Sequence, residues 1–134
     1  MLDIAKATQF IDDNAETAST GKCARYVREA LRAGGLDLTH HPVSAKDYGP
    51  TLTLNGFTSV SDYAGAAVTP NPPVESPVAG DVIVIQPYKD GDPNGHIAMY
   101  DGSQWVSDFM QRDMWAGPGY RKAKPPYVIY RPGK

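Results

Sequence analysis

The chain has 134 residues, a length typical of one domain, and we expect a single domain spanning residues 1–134. Hydrophobic residues make up 41% of the chain, enough for a packed core, whereas 13 glycines and 12 prolines predict many turns and irregular connections. A formal net charge of -2 gives no electrostatic footprint for DNA or RNA, so we exclude a nucleic-acid-binding protein.

The amino-terminal segment lacks a basic stretch followed by an apolar run, so we expect no secretory signal peptide. No run of about 18 apolar residues is present, which predicts that the protein does not insert into a membrane. The single cysteine, Cys23, cannot form an internal disulfide. We therefore expect a soluble protein that is synthesised in the cytoplasm and has one reactive thiol.

Two helices are predicted in the first 35 residues. Ile4, Ala7 and Ile11 recur at helical spacing and predict a helix over residues 3–16. A second apolar stripe predicts a helix with Cys23 in its first turn, with Ser19 or Thr20 as its cap and with Gly34-Gly35 as its end. Residues 36–77 show little periodicity and are rich in proline, so we interpret them as connecting segments.

Within these connecting segments we expect one short helix, near residues 44–49 or 59–66, and a proline-rich link at residues 70–77. The adjacent His40 and His41 lack the i, i+4 spacing of a helical metal site, so we expect them to be surface or turn residues.

From Gly80 onward the chain is rich in β-branched and alternating segments, which predict four strands. These strands are residues 81–87, 96–100, 105–109 and 127–130. Helices followed by a run of strands favour an α+β domain with an antiparallel sheet.

Cys23 is a candidate nucleophile because a helix amino terminus favours the thiolate through its unpaired N–H groups and its macrodipole. The same amides could hold the oxyanion of a tetrahedral intermediate. The alternative is that Cys23 is a small buried hydrophobic residue with an inert thiol.

His96 is a candidate base because it opens a predicted strand directly after a turn-rich loop. A three-residue turn after that strand would place Asp108 opposite or diagonal to His96, where the carboxylate could orient the imidazole. A two-residue turn would place Ser107 there instead. A metal site at Cys23 and His96 lacks a set of further ligands.

Trp115 and Tyr120, in the segment WAGPGYR, are interpreted either as core residues or as part of a loop beside the cleft.

The order of these segments resembles the CHAP and NlpC-type peptidoglycan hydrolases of the papain-like superfamily. The resemblance rests on Cys23 in STGKCARYVREAL, on GDVIVI at 80–85, on NGHIAMYDG at 94–102 and on WVSDF at 105–109. It implies a papain-like fold with a helical part that carries the cysteine and an antiparallel sheet that carries the histidine. Gly80-Asp81 matches the pair that often opens the first strand of the family, and we interpret it as structural.

The resemblance further implies that Cys23 is the nucleophile, His96 the base and Asp108 the orienting residue of a cysteine amidase or endopeptidase. The substrate would be peptidoglycan peptide, and no metal or organic cofactor would be needed. Three wall amides stay open as targets: γ-glutamyl–diaminopimelate, D-alanyl–diaminopimelate and N-acetylmuramoyl–L-alanine.

The catalytic segment is also similar to compact amidase effectors delivered by type VI secretion, and phage or plasmid-borne wall hydrolases are a second option. We expect a monomer that acts in the periplasm of a target bacterium, and an inhibitor (immunity) protein that blocks the groove between Cys23 and His96. Two other functions stay open: deamidation or acyl transfer on another protein, and a binding module without activity.

Overall fold

A computed structural model of the protein describes residues 2–65 and 76–133. No helix in these two ranges is long and apolar enough to cross a membrane. The predicted proline-rich link at 70–77 falls mostly on residues 66–75, which lie outside the described residues.

Two helices form the amino-terminal part of the domain, as predicted. Helix α1 spans Ile4–Asn14, and the side chain of Asp3 caps it by accepting a 3.0 Å hydrogen bond from the Lys6 amide. Helix α2 spans Cys23–Ala33 and ends at Gly34, which confirms the predicted stop. The expected capping by Ser19 or Thr20 is wrong, because the cap position of α2 is Lys22 and no side chain caps it.

The region after α2 contains more regular structure than its sequence indicates. A single turn of 3₁₀ helix at Ala45–Asp47 leads into helix α3, Gly49–Leu54, close to the predicted short helix at 44–49. The alternative helix at 59–66 is wrong, since strand β1 occupies Phe57–Tyr63. A shift in register between Ser59 and Ser61 interrupts the alternation of buried residues in β1, which hides the strand in the sequence.

The remaining elements build a five-stranded sheet. Strands β2 to β5 span Val82–Ile85, His96–Tyr100, Trp105–Val106 and Tyr127–Pro132, and helix α4 spans Pro118–Ala123. The strand order is β1-β5-β2-β3-β4, and every pairing is antiparallel. The predicted antiparallel sheet is confirmed, although β4 ends three residues early and α4 was not predicted.

The sheet separates two apolar clusters. On one face α1 and α2 pack against alternate residues of β2 and β3, among them Val82, Val84 and Ile97. On the other face lies a cluster rich in aromatic residues, which includes Trp105 and Tyr120. Because both faces are covered, the four residues of β2 are all buried.

Gly80 and Asp81 open β2 and have the structural role that the sequence predicts. The Asp81 side chain is fully buried and accepts a 2.9 Å hydrogen bond from the Val78 amide. It also accepts two hydrogen bonds from Arg131, at 2.8 Å from Nε and at 2.9 Å from Nη2. Arg131 lies on β5, so the ion pair joins two adjacent central strands. A buried carboxylate without this partner would be strongly unfavourable.

We therefore expect Arg131→Ala to lower the free energy of unfolding by about 3 kcal/mol, since it leaves the Asp81 carboxylate buried and unpaired. Urea unfolding followed by circular dichroism measures this loss. Arg25→Ala, at an exposed position of α2, is the matched control and should change stability by less than about 0.5 kcal/mol. Equal midpoints for both variants would contradict the structural role of the pair.

Candidate active site

Cys23 is the first residue of α2 and lies at the interface between this helix and β3. Its side chain is partly buried against the cluster that α1 and α2 form on the sheet. The backbone amides of Ile97 and Ala24 form hydrogen bonds to the sulfur. Both amides favour the thiolate, as expected for a thiol at a helix amino terminus.

His96 is the first residue of β3, and its side chain is 6% exposed. Gly95 precedes it with φ of +70°, and a Cβ there would clash with the carbonyl oxygen of Ile85 on the neighbouring strand. The glycine therefore allows β3 to begin close against β2 and so fixes where His96 enters the site.

Cys23 and His96 line the same cleft, which has a volume of about 310 Å³. The loop before α2, the loop before β3 and the segment at 116–120 supply its other walls. The fold thus brings together residues that lie up to about a hundred positions apart in the chain. Cys23 and His96 are among them, and their proximity to one cleft was expected from the sequence.

The imidazole of His96 is held by Gln111, which sequence analysis did not identify. His96 Nε2 lies 2.7 Å from Gln111 Oε1, and both side chains are buried. The Gln111 amide nitrogen donates to the carbonyl oxygens of Asp113 and Met114 at 2.9 and 3.5 Å, which orients Oε1 toward the ring. Nε2 therefore carries the proton, and Nδ1 keeps a free lone pair with which it can act as a base.

Asp108, the expected orienting residue, forms hydrogen bonds to a different part of the site. Its Oδ2 accepts from the Thr20 amide at 2.6 Å, from the Thr20 hydroxyl at 2.9 Å and from the Lys22 amide at 3.3 Å. Its Oδ1 accepts from the Ser107 hydroxyl at 3.0 Å. The carboxylate thus anchors the loop that leads into Cys23.

The register of the β3–β4 hairpin explains the difference. Tyr100 pairs with Trp105, so four residues connect the strands, and not the two or three residues expected from the sequence. Strand β4 then ends at Val106, and the chain reverses so that the Gln111 amide bonds to the Trp105 carbonyl. This reversal places Gln111, and not Asp108, against the imidazole.

The cysteine and histidine of the resting protein are both neutral at pH 7. Burial raises the pKa of the Cys23 thiol to about 11, outweighing the two backbone amides that lower it, and the nearby charge of Asp108 raises it further. Burial lowers the pKa of His96, against the opposing effects of the Gln111 hydrogen bond and of Asp108 and Asp92. The helix terminus alone is therefore insufficient to form the thiolate, and the thiol needs a base.

The segment WAGPGYR divides between the two predicted environments. Tyr120 belongs to the aromatic cluster and also lines the cleft, whereas Trp115 packs edge-on against Tyr63 and Tyr127 within that cluster and does not line the cleft. His40 and His41 are exposed, as predicted. Across residues 2–65 and 76–133, no group of three or more His, Cys, Asp or Glu side chains could hold a metal ion.

The contact between His96 and Gln111 predicts a measurable shift in titration. Gln111→Leu introduces an apolar side chain of similar size and so removes the hydrogen-bond acceptor. In the wild type, the hydrogen bond to Gln111 raises the pKa of His96. The imidazole of His96 should therefore titrate at a lower pH in the variant than in the wild type. NMR titration of the His96 ring signals measures this. An unchanged or higher midpoint for His96 would show that Gln111 does not stabilise the imidazolium.

The raised pKa of Cys23 predicts how fast the free protein is alkylated. Only the thiolate reacts, so the rate with iodoacetamide should increase about tenfold per pH unit from pH 7 toward 11. Mass spectrometry of the intact protein measures the rate, and Cys23→Ala corrects for reaction at other residues. A rate that is already constant near pH 7 would indicate a preformed thiolate–imidazolium pair.

Comparison with known proteins shows which protein family the chain belongs to. No protein-family model and no curated protein matches it. Solved structures do match, among them the type VI native effector–immunity complex Tae3–Tai3 from Ralstonia pickettii and the selenomethionine form of the same complex. The native complex has 44% identity and a TM-score of 0.81 over 97% of this chain and 98% of that chain. The selenomethionine form has 44% identity and a TM-score of 0.78 over 94% and 99%. With this identity across nearly the whole of both chains, the protein belongs to the Tae3 family of type VI effectors.

Proposed function

We propose that this effector is a cysteine amidase or endopeptidase that hydrolyses an amide bond of peptidoglycan peptide. The observation that carries the proposal is the cleft that Cys23 and His96 both line, with Gln111 leaving the Nδ1 lone pair of His96 free. A nucleophile beside an oriented base is the arrangement required for acyl transfer. The order of cysteine, histidine and polar residue also resembles that of CHAP and NlpC-type hydrolases.

The first half of the reaction forms an acyl-enzyme. His96 Nδ1 takes the thiol proton as Cys23 Sγ bonds to the carbonyl carbon of the substrate, and the carbonyl oxygen becomes an oxyanion. The C–N bond then breaks, and the imidazolium gives its proton to the departing amine. Because Gln111 accepts from Nε2–H throughout, the ring keeps its orientation in both protonation states.

The second half releases the product. His96 takes a proton from a water molecule, the hydroxide bonds to the acyl carbon, and the C–S bond breaks as the sulfur regains a proton from the imidazolium. The same two side chains thus serve both halves, and the enzyme returns to its neutral resting state. In this scheme Gln111 replaces Asp108 as the orienting residue, and Asp108 positions the loop before Cys23.

The family relationship supports the place of action. Both matching structures are type VI effector–immunity complexes. A member of this family that digests peptidoglycan would be delivered into the periplasm of a target bacterium. Its producer would need an immunity protein there, and covering the cleft at Cys23 and His96 would block the substrate.

We expect Cys23→Ala to lower digestion of purified sacculi by about 10³-fold or more, because no other thiol is present in the chain. Mass analysis of the released fragments identifies the bond that is cut. In a Gram-negative host, the wild-type protein with an attached periplasmic signal should cause lysis. The cytoplasmic form and the periplasmic Cys23→Ala form should be tolerated.

The Cys23→Ala protein must first show the circular dichroism spectrum and melting temperature of a folded domain. Sacculi that stay intact with the wild-type protein, or that are digested equally by the variant, would refute the proposed activity. Deamidation of a host protein by the wild type, with intact sacculi, would instead favour the alternative papain-like chemistry.

A further inference from the structure

Tyr120 forms part of the cleft wall next to His96. It lies on α4, is 8% exposed, and its ring centroid is 5.9 Å from that of His96. Tyr88 packs edge-on against its other side, with ring centroids 4.9 Å apart and an interplanar angle of 80°. A Cβ at Gly119 would clash with the Tyr88 hydroxyl, so this glycine allows the two loops to meet. The position of the Tyr120 ring is therefore fixed by packing on both sides.

The hydroxyl of Tyr120 is buried and has no hydrogen-bond partner in the part of the chain that the structure describes. Buried tyrosine hydroxyls usually have a partner, as Tyr48 does, whose hydroxyl accepts from Arg28 at 3.1 Å. Burying a hydroxyl without a partner is unfavourable, and phenylalanine would fill the same space without that cost. The orphan hydroxyl therefore requires an explanation.

Its location supplies one. Three other buried side-chain atoms among the described residues lack a partner, and they belong to Asp12, Arg28 and Ser61. None of these three residues lines the cleft, whereas Tyr120 lines it together with Cys23 and His96. Of these four groups, only the tyrosine hydroxyl therefore belongs to a residue of the cleft wall.

The electrostatic surroundings keep this hydroxyl protonated. Burial raises the pKa of Tyr120 well above its ordinary value, and the nearby groups of Asp92, Cys23 and Tyr88 raise it further. A phenol that keeps its proton in the wall of this cleft is a hydrogen-bond donor without an acceptor.

We propose that the Tyr120 hydroxyl donates a hydrogen bond to the carbonyl oxygen of the substrate as Cys23 attacks it. The inference rests on the proposed amidase function and adds a second kind of donor to the backbone amides at the start of α2. The proton stays on the tyrosine throughout, and the hydrogen bond strengthens as negative charge develops on the oxygen. Tyr120 is thus a catalytic residue, since it touches the reacting atoms.

Tyr120→Phe tests the inference because it removes only the hydroxyl and keeps the packed ring. With soluble muropeptides from Gram-negative sacculi as substrate, we expect kcat to fall about 10²-fold while KM changes less than about twofold. The melting temperature should be equal to or higher than that of the wild type, because a buried, unpaired group is lost. Tyr100→Phe, at the opposite end of β3 from His96, is the matched control and should keep wild-type kcat and KM.

The outcomes separate this inference from the proposed function. A kcat for Tyr120→Phe within threefold of wild type would overturn it, and so would a raised KM with unchanged kcat, which indicates binding of the ground state alone. A lowered melting temperature with proportional loss of activity would assign the hydroxyl a structural role and also overturn it. An inactive wild-type protein would refute the proposed amidase function itself. If the wild type is active and Cys23→Ala is inactive, a Tyr120→Phe variant with near wild-type kcat refutes only the role of Tyr120.

Discussion

The position of Cys23, the proposed nucleophile, depends on one buried carboxylate. Asp108 accepts three hydrogen bonds from Thr20 and Lys22, directly before Cys23, and so ties the start of α2 to the segment after β4. These bonds hold the pKa of Asp108 below its usual value although burial raises it, so the group stays ionised. Its charge raises the pKa values of both Cys23 and His96. It therefore disfavours the resting thiolate but stabilises the imidazolium that the reaction would form.

The neutral state of the pair has a chemical consequence for the protein at rest. Thiolates, and not thiols, are alkylated and oxidised readily. A thiol whose pKa is about 11 is mostly protonated at neutral pH, so Cys23 is protected until, in the proposed mechanism, His96 removes its proton. Gln111 makes this transfer directional, because its oxygen occupies the Nε2–H side of the ring and leaves Nδ1 as the site that accepts the proton.

Local sequence signals were sufficient to place Cys23 and His96 but not the groups around them. Cys23 at a helix start and His96 at a strand start follow from periodicity and from the glycine that precedes the histidine. The position of Gln111 against the imidazole depends on a four-residue connection and on a chain reversal after Val106. No periodic pattern in the sequence indicates either feature. Strand β1 was missed because a register shift interrupts its alternation. Both errors have the same cause. Irregular backbone determines the position of Gln111 and the burial pattern of β1, whereas periodic sequence patterns report only regular helices and strands.

The place of β5 in the sheet affects how the molecule assembles. This strand, Tyr127–Pro132, is the last element of the fold, yet it lies between β1 and β2 and pairs with both. Strand β1 therefore cannot join the sheet until residues 127–132 have emerged and inserted, which makes folding dependent on contacts distant in sequence. Asp108, Gln111 and Tyr120 also come from the last third of the chain. A nascent chain thus contains the thiol long before it contains the residues that complete the site around it, so the cleft cannot assemble until Tyr120 has been added.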